Sequence, residues 1–388
     1  MTQTTKITTL ALALSSASTG PQILALSLLM PDISKALNVS VPVLGQLNTA
    51  FSVVSIFTSF MVSLLTTKFS PKRLLNVGII FLFTGLITST LADGYMIMAL
   101  GFLLYGVGFG LVLPVTNLLV ALYPADARTS TMGWVFSGRS IISIIATPIT
   151  GILAESYGWR LGYIGFGLPL ILLSVILVAT SVPDGDKDEA GESLVKGIHK
   201  VLTVKSAVAC IAGASLALVF FSALMVYNGT YLRDEMGLSI SQASLIMSVT
   251  FLAIAVGQVT SGVAVSHLGL KRATYLAIII SGISLMTYFT FKLHLAISVA
   301  SSILGAAMGG TTMTTMSALA LDQVRENRGT MMGLNSAAFS VANMIGSGIG
   351  GFTLDLAGYP SMGATLFIIS VISSLTYLLW AREPAPNQ

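Results

Sequence analysis

Twelve apolar stretches of about 20 residues each, parted by short polar turns, leave this chain few folds. They run at 8–30, 44–66, 74–92, 96–122, 130–154 and 161–182, then at 206–230, 242–265, 272–291, 295–320, 329–354 and 361–381. Each is long enough to cross a ~30 Å hydrocarbon core as a helix. Charged residues make up 9% of the 388 and hydrophobic ones 54%. A soluble protein carries roughly 25% charged residues, so this chain has too little polar surface to face water throughout. It reads as an all-α polytopic membrane protein. The N-terminus starts like a secretory signal, with Lys6 before ITTLALALSSAS, but the apolar run continues through Pro21 to Met30, the length of a retained span.

The twelve runs fall into two sets of six. Between them Pro183 to Lys205 is the only long polar connection, with five acids and four lysines. This divides the chain into a bundle at 1–182, a linker at 183–205 and a bundle at 206–388. A shift of 200 positions relates the halves. RTSTMGWVFSGRSIISIIATPITGILAESYGW, from Arg128 to Trp159, returns as RGTMMGLNSAAFSVANMIGSGIGGFTLDLAGY, from Arg328 to Tyr359. Gly133, Ser140, Ile145, Ile149, Gly151 and Gly158 match Gly333, Ser340, Ile345, Ile349, Gly351 and Gly358, with Glu155 over Asp355. An even number of spans per half makes the two bundles parallel, related by an axis along the membrane normal.

Positive charge gives the orientation. One set of loops and ends holds 14 of the 19 lysines and arginines, the other four, and Arg139 remains inside a span. The excess marks the cytoplasmic side, so both termini and the linker are expected there, in a multi-pass protein of the plasma (cytoplasmic) membrane. With one cysteine, Cys210, no intrachain disulfide or thiolate cluster can form, and His199, His267 and His294 are far apart. No nucleotide-binding loop of the GxxxxGK[ST] type occurs, and no Ser/His/Asp or Cys/His set can be assembled. Neither an enzyme, a cofactor, a metal site nor a nucleic-acid partner is expected. The net charge of +4 follows topology.

The loop after the second span carries Lys68, Lys72 and Arg73, and the loop after the eighth carries Gly262, Gly269, Lys271 and Arg272, with Thr67 and Ser266 in matching places. These loops resemble those of the major facilitator superfamily, nearest its twelve-span drug/proton antiporters, which have an acid where Thr67 and Ser266 stand. In the family this loop is an inner-face latch; here these basic residues also read simply as positive-inside charge. Gly106 and Gly110 in the fourth span, with Gly305 and Gly309 in the tenth, have the small-residue spacing of close helix approach. Phe102 stands where many members have an arginine tied to proton coupling. In the fifth span Pro148 and Gly151 match the antiporter motif, while Thr147 and Ile152 replace glycines; Gly351 is the echo of Gly151. The resemblance implies two parallel six-helix bundles, a monomer, and alternating access to a midplane site for a small molecule.

Arg139 is the sharpest single residue, about 16 Å along its helix from Arg128. An arginine at that depth costs about 2.5–3.5 kcal/mol on insertion scales. It is either a structural residue bonded to helix carbonyls or a polar neighbour such as Asn117, or a binding or coupling charge. No acid lies at the same depth; Asp32, at the outer end of the first span, is the marginal coupling candidate. The family's architecture makes Gln22, Asn117, Tyr227, Asn228, Gln258, Asn335 and Asn343 candidates to line a cavity, each also able to serve as an interhelical bond. The expected function is secondary transport, first as proton-coupled efflux of drug-like or metabolite compounds. The alternatives are an organic-anion carrier using Arg139, and a transporter-like receptor or lipid-handling protein that moves no solute.

Overall fold

The computed structural model describes residues 3–121, 125–183, 198–291, 294–324 and 328–382. All regular structure among them is helical: α1 Gln3–Ala17, α2 Pro21–Leu37, α3 Val41–Leu65, α4 Pro71–Thr90, α5 Tyr95–Ala121, α6 Ala125–Tyr157, α7 Trp159–Gly165, α8 Gly167–Ser181, α9 Lys205–Asp234, α10 Ile240–Leu268, α11 Leu270–Thr290, α12 Leu295–Gln323 and α13 Arg328–Trp380. A short helical stretch at 198–203 precedes α9, and residues 184–197, most of the expected linker, lie outside the described residues.

Among the described residues, eleven helical stretches are long and apolar enough to cross a membrane. The last, Gly333–Trp380, has 48 residues, about 72 Å of helix and more than twice a ~30 Å core. It is broken at Ala357 and Gly358, where Gly358 has φ +73°, so α13 makes two passes. That gives the twelve spans of an all-α polytopic membrane protein. Gly158, the counterpart of Gly358 in the first half, has φ +88° at the junction of α6 and α7. A left-handed residue at this corner is required in both halves, and glycine is the residue that adopts it without strain.

Two runs expected to be continuous are broken. The first span divides into α1 and α2 at Ser18–Thr19–Gly20, because Pro21 has no N–H to continue the ladder. The hydroxyls of Ser18 and Thr19 donate to the carbonyls of Ser15 and Ser16, and the Tyr105 hydroxyl donates to the Ser18 carbonyl at 2.8 Å. The backbone opened by the break is thereby partly re-satisfied inside an apolar layer. The sixth span divides into α7 and α8 at Phe166.

The chain forms two compact units: Met1–Gly191 with Leu232–Ser248, and Glu192–Tyr231 with Val249–Gln388. In the first, α5 packs against α3 and α4, and α1 against α6 and α8. Small residues set these approaches. A Cβ on Gly106 would lie 2.7 Å from the Phe51 carbonyl oxygen, and one on Gly110 would lie 2.6 Å from that of Ser55. Those distances leave no room for a side chain. In the second unit α11 packs on α12 and α13. There the residue that meets a carbonyl of the neighbouring α10 is Gly310, against Ile254, and Gly257 meets the Ala307 carbonyl. Gly305 and Gly309 instead face Leu285 and Phe221. The tenth-span counterpart of Gly110 is therefore Gly310, 200 residues on, and the pairing of Gly106 and Gly110 with Gly305 and Gly309 is one residue out of phase.

Candidate functional site

The residues expected to line a cavity separate into those that structure already uses and those it leaves free. Gln22 in α2 is fully buried, and its amide donates to the Ser89 hydroxyl of α4 at 3.1 Å, while its Oε1 has no partner. The Tyr163 hydroxyl of α7, also buried and without a hydrogen-bond partner, lies within electrostatic reach of Ser89 and Gln22. Gln22 thus belongs to a buried polar knot joining three helices.

The second unit uses its candidates in the same way. Tyr227 donates to the Ser347 carbonyl at 2.9 Å, and its ring lies over Gly350. Asn228 accepts from the Tyr288 hydroxyl at 2.7 Å. Tyr231 donates to the Tyr288 carbonyl, and its ring meets those of Tyr288, Phe289 and Tyr359 at centroid distances of 4.6, 5.1 and 4.9 Å. Asn335 donates to the Ser317 hydroxyl at 3.0 Å, and Gln258 lies 3.8 Å from the Met313 sulfur. Each of these side chains ties one helix to another.

Three candidates are half-buried and have no side-chain hydrogen bond or ion pair among the described residues: Arg139, Asn117 and Asn343. The Arg139–Asn117 bond that would make the arginine structural is not formed. Arg139 sits 14 residues into α6, about 21 Å from its start and 27 Å from its end. Next to it, Gly138 faces Ala13 of α1, and Ser143, one turn on, reaches the break at Gly20. The Ser143 hydroxyl donates to the Arg139 carbonyl at 2.9 Å, and the Thr147 hydroxyl to that of Ser143 at 2.8 Å. The face of α6 that carries Arg139 therefore runs along the first span toward its broken point.

The acids lie elsewhere. Asp32 is held by Arg233, whose guanidinium also donates to the Leu28 carbonyl at 3.1 Å. In the sequence Arg233 is simply one of the four basic residues on the charge-poor side, because nothing local links residues 201 positions apart. Asp93 pairs with Arg160 at 2.9 Å. Arg160 further donates to the carbonyls of Thr90, the last residue of α4, and of Ala92 just beyond it, and lies over the Trp159 ring. Cations at helix C-termini satisfy such carbonyls well. Glu155 accepts from Ser241, so no described acid stands beside Arg139 as an ion-pair partner.

In the packing motif, Gly151 leaves room for Ser244, Pro148 is half-buried and Gly351 is buried. Among the loop residues Lys68, Arg73, Gly262 and Arg272 are exposed, and Lys72, Gly269 and Lys271 half-buried. The basic ones make no ion pair among the described residues. Gly269, with φ +81°, turns α10 into α11.

The model of the Major Facilitator Superfamily matches residues 10–232 and 210–388. The chain belongs to this superfamily. It is a membrane transporter and not an enzyme. Its relatives in the superfamily include the hexuronate transporter of Bacillus subtilis (strain 168), 24% identical over 388 residues, covering 92% of this chain and 90% of the relative. The inner membrane transport protein YdhP of Escherichia coli (strain K12) is 24% identical over 373 residues, covering 92% and 91%. Among solved structures, a D-xylose–proton symporter superposes with a TM-score of 0.82 at 15% identity, over 97% of this chain and 98% of that one. A bacterial homolog of the human lysosomal transporter Spinster, inward-facing and unoccupied, gives 0.75 at 16%, over 99% and 100%. At these identities the structural matches carry the superfamily fold alone.

Proposed function

We propose that this transporter carries small organic anions and that Arg139 binds the negative group of the cargo. The observation that carries the reading is the unpartnered, half-buried guanidinium in the middle of α6. Holding a cation there costs about 2.5–3.5 kcal/mol, and no described group offsets that cost. A carboxylate or phosphate on the cargo would do so, through the paired N–H donors of the guanidinium. The positive interior also favours entry of an anion over a cation. A hexuronate transporter among the relatives agrees with that charge.

Proton-coupled efflux of drug-like compounds rests on the small residues of the fifth span. Gly151 there lies against Ser244, which gives those residues a packing duty. Asp32, the coupling candidate, is engaged by Arg233.

The test is thermal unfolding of the purified protein against a panel of carboxylates, neutral sugars and organic cations. Carboxylates should raise Tm, Arg139→Ala should abolish the shift, and Arg139→Lys should keep part of it. A compound class that stabilises the Arg139→Ala protein as well as the wild type overturns the assignment. Movement of a stabilising anion against its gradient in proteoliposomes separates transport from mere reception.

A further inference from the structure

The offset of 200 that relates the two halves in sequence also holds for their packing. Gly158 and Gly358 take the same left-handed corner, and Gly110 and Gly310 each meet a backbone carbonyl of a neighbouring helix. Position 117 of α5 therefore matches 317 of α12, and 135 of α6 matches 335 of α13. In the second unit the matched pair is bonded: the Asn335 amide donates to the Ser317 hydroxyl at 3.0 Å. In the first unit the same two places hold Asn117 and Val135. Val135 is buried and has no polar group to offer, so the one amide of this seam sits on α5 and goes unanswered. Asn117 accordingly has no side-chain hydrogen bond among the described residues.

Arg139 stands one helical turn beyond Val135, on the same face of α6. Side chains on a helix lean toward its N-terminus, which carries Arg139 back toward Val135 and the level of Asn117. Helices α5 and α6 pack against each other within the first unit. An amide and a guanidinium, both half-buried and both without a partner among the described residues, thus converge on one seam. They call for different groups. The guanidinium matches a carboxylate through its paired N–H donors. The amide, with an acceptor and two donors on a neutral group, matches a hydroxyl, which both donates and accepts. A simple aliphatic acid would satisfy Arg139 and leave Asn117 unpaired, and a neutral sugar would do the reverse.

We propose that Asn117 and Arg139 form a two-point site for small hydroxycarboxylates, in which Asn117 binds a hydroxyl near the carboxylate and so selects among anions. The convergence of the two side chains on one seam places that hydroxyl on the first or second carbon beyond the carboxylate. The inference rests on the reading that Arg139 holds the negative group of the cargo.

Three matched acids test it: butyrate, 2-hydroxybutyrate and 3-hydroxybutyrate, each titrated against the Tm of the full-length protein. In the wild type at least one hydroxy acid should reach its half-maximal shift at a concentration about tenfold below that of butyrate, the worth of one hydrogen bond. Asn117→Leu should bring the three acids to a common concentration. Val135→Ser gives Asn117 the kind of partner that the matched place has in the second unit, and should remove most of the advantage as well. Elution as one symmetric species in size exclusion verifies that each variant is folded, and the milder Val135→Ser keeps the test decisive if Asn117→Leu does not fold. A hydroxyl advantage that survives in the folded variants, or that the wild type never shows, overturns this inference and leaves the anion reading standing. Shifts by all three acids that persist in Arg139→Ala, or that are absent from the wild type, overturn the anion reading and this inference with it.

Discussion

Tyr288 gathers much of the second unit's polar core in one side chain. Its hydroxyl donates to buried Asn228, its carbonyl accepts from Tyr231, and its ring meets those of Tyr231 and Phe289. Tyr288→Phe keeps the ring contacts and removes only the donor, leaving the buried Asn228 Oδ1 without that bond. The cost of such an orphan is about 1–3 kcal/mol, so thermal unfolding should show a clear drop in Tm. Gln22→Leu is the contrasting case. Its amide makes one bond, to Ser89, and its Oε1 is already unpaired, so an apolar replacement of similar length removes a penalty with the bond. The expected change is smaller than that of Tyr288→Phe in the same assay. A loss at Gln22 equal to that at Tyr288 would show that the knot around Ser89 and Tyr163 contributes more than its hydrogen bonds.

Among the elements, α10 and α12 provide the sharpest test of packing. Gly257 and Gly310 bring each helix against a carbonyl of the other, so any Cβ must push backbone aside. Gly310→Val should cost upward of about 1–3 kcal/mol, read as lost Tm or as failure to elute as one species. Gly262, on the same α10, has open space around the position a Cβ would take. Gly262→Ala should therefore raise stability by about 0.5–1 kcal/mol, the ordinary helix gain of alanine over glycine. If transport falls while stability rises, Gly262 has a duty in the loop motif beyond its helix. The loop itself carries Lys271 and Arg272 without an ion pair among the described residues, so that duty does not run through a fixed charge relay.

At the scale of the whole molecule, the distribution of charge predicts the orientation, and the prediction is open to direct measurement. Met96, at the start of α5, and Ser266, near the end of α10, are both exposed and lie at ends that the positive-inside bias assigns to opposite sides. In intact cells an impermeant maleimide should label Met96→Cys and spare Ser266→Cys until the membrane is opened. The reverse pattern would invert the topology and place the Asp32–Arg233 pair on the cytoplasmic side.

Hydropathy and charge are properties of residues taken one at a time, and they survive in a string of letters. Twelve spans and an all-α polytopic class follow from them, because a bilayer rejects charge and free backbone wherever they occur; the repeat at an offset of 200 is read from matched residues, and the transporter class from the resemblance of motifs. The depth of Arg139 is legible for the same reason. What Arg139 lacks is not, since an unpartnered side chain is a statement about every neighbour at once. Gln22, Tyr227, Asn228 and Asn335 look alike as polar residues in apolar runs, and only packing separates them from Arg139, Asn117 and Asn343. Asp32 reads as a lone acid until α9 brings Arg233 to it across 201 residues. The one-residue error at Gly305 and Gly309 has the same origin. A helix face is fixed by what it meets, and backbone carbonyls, which every residue carries, leave no mark in the sequence.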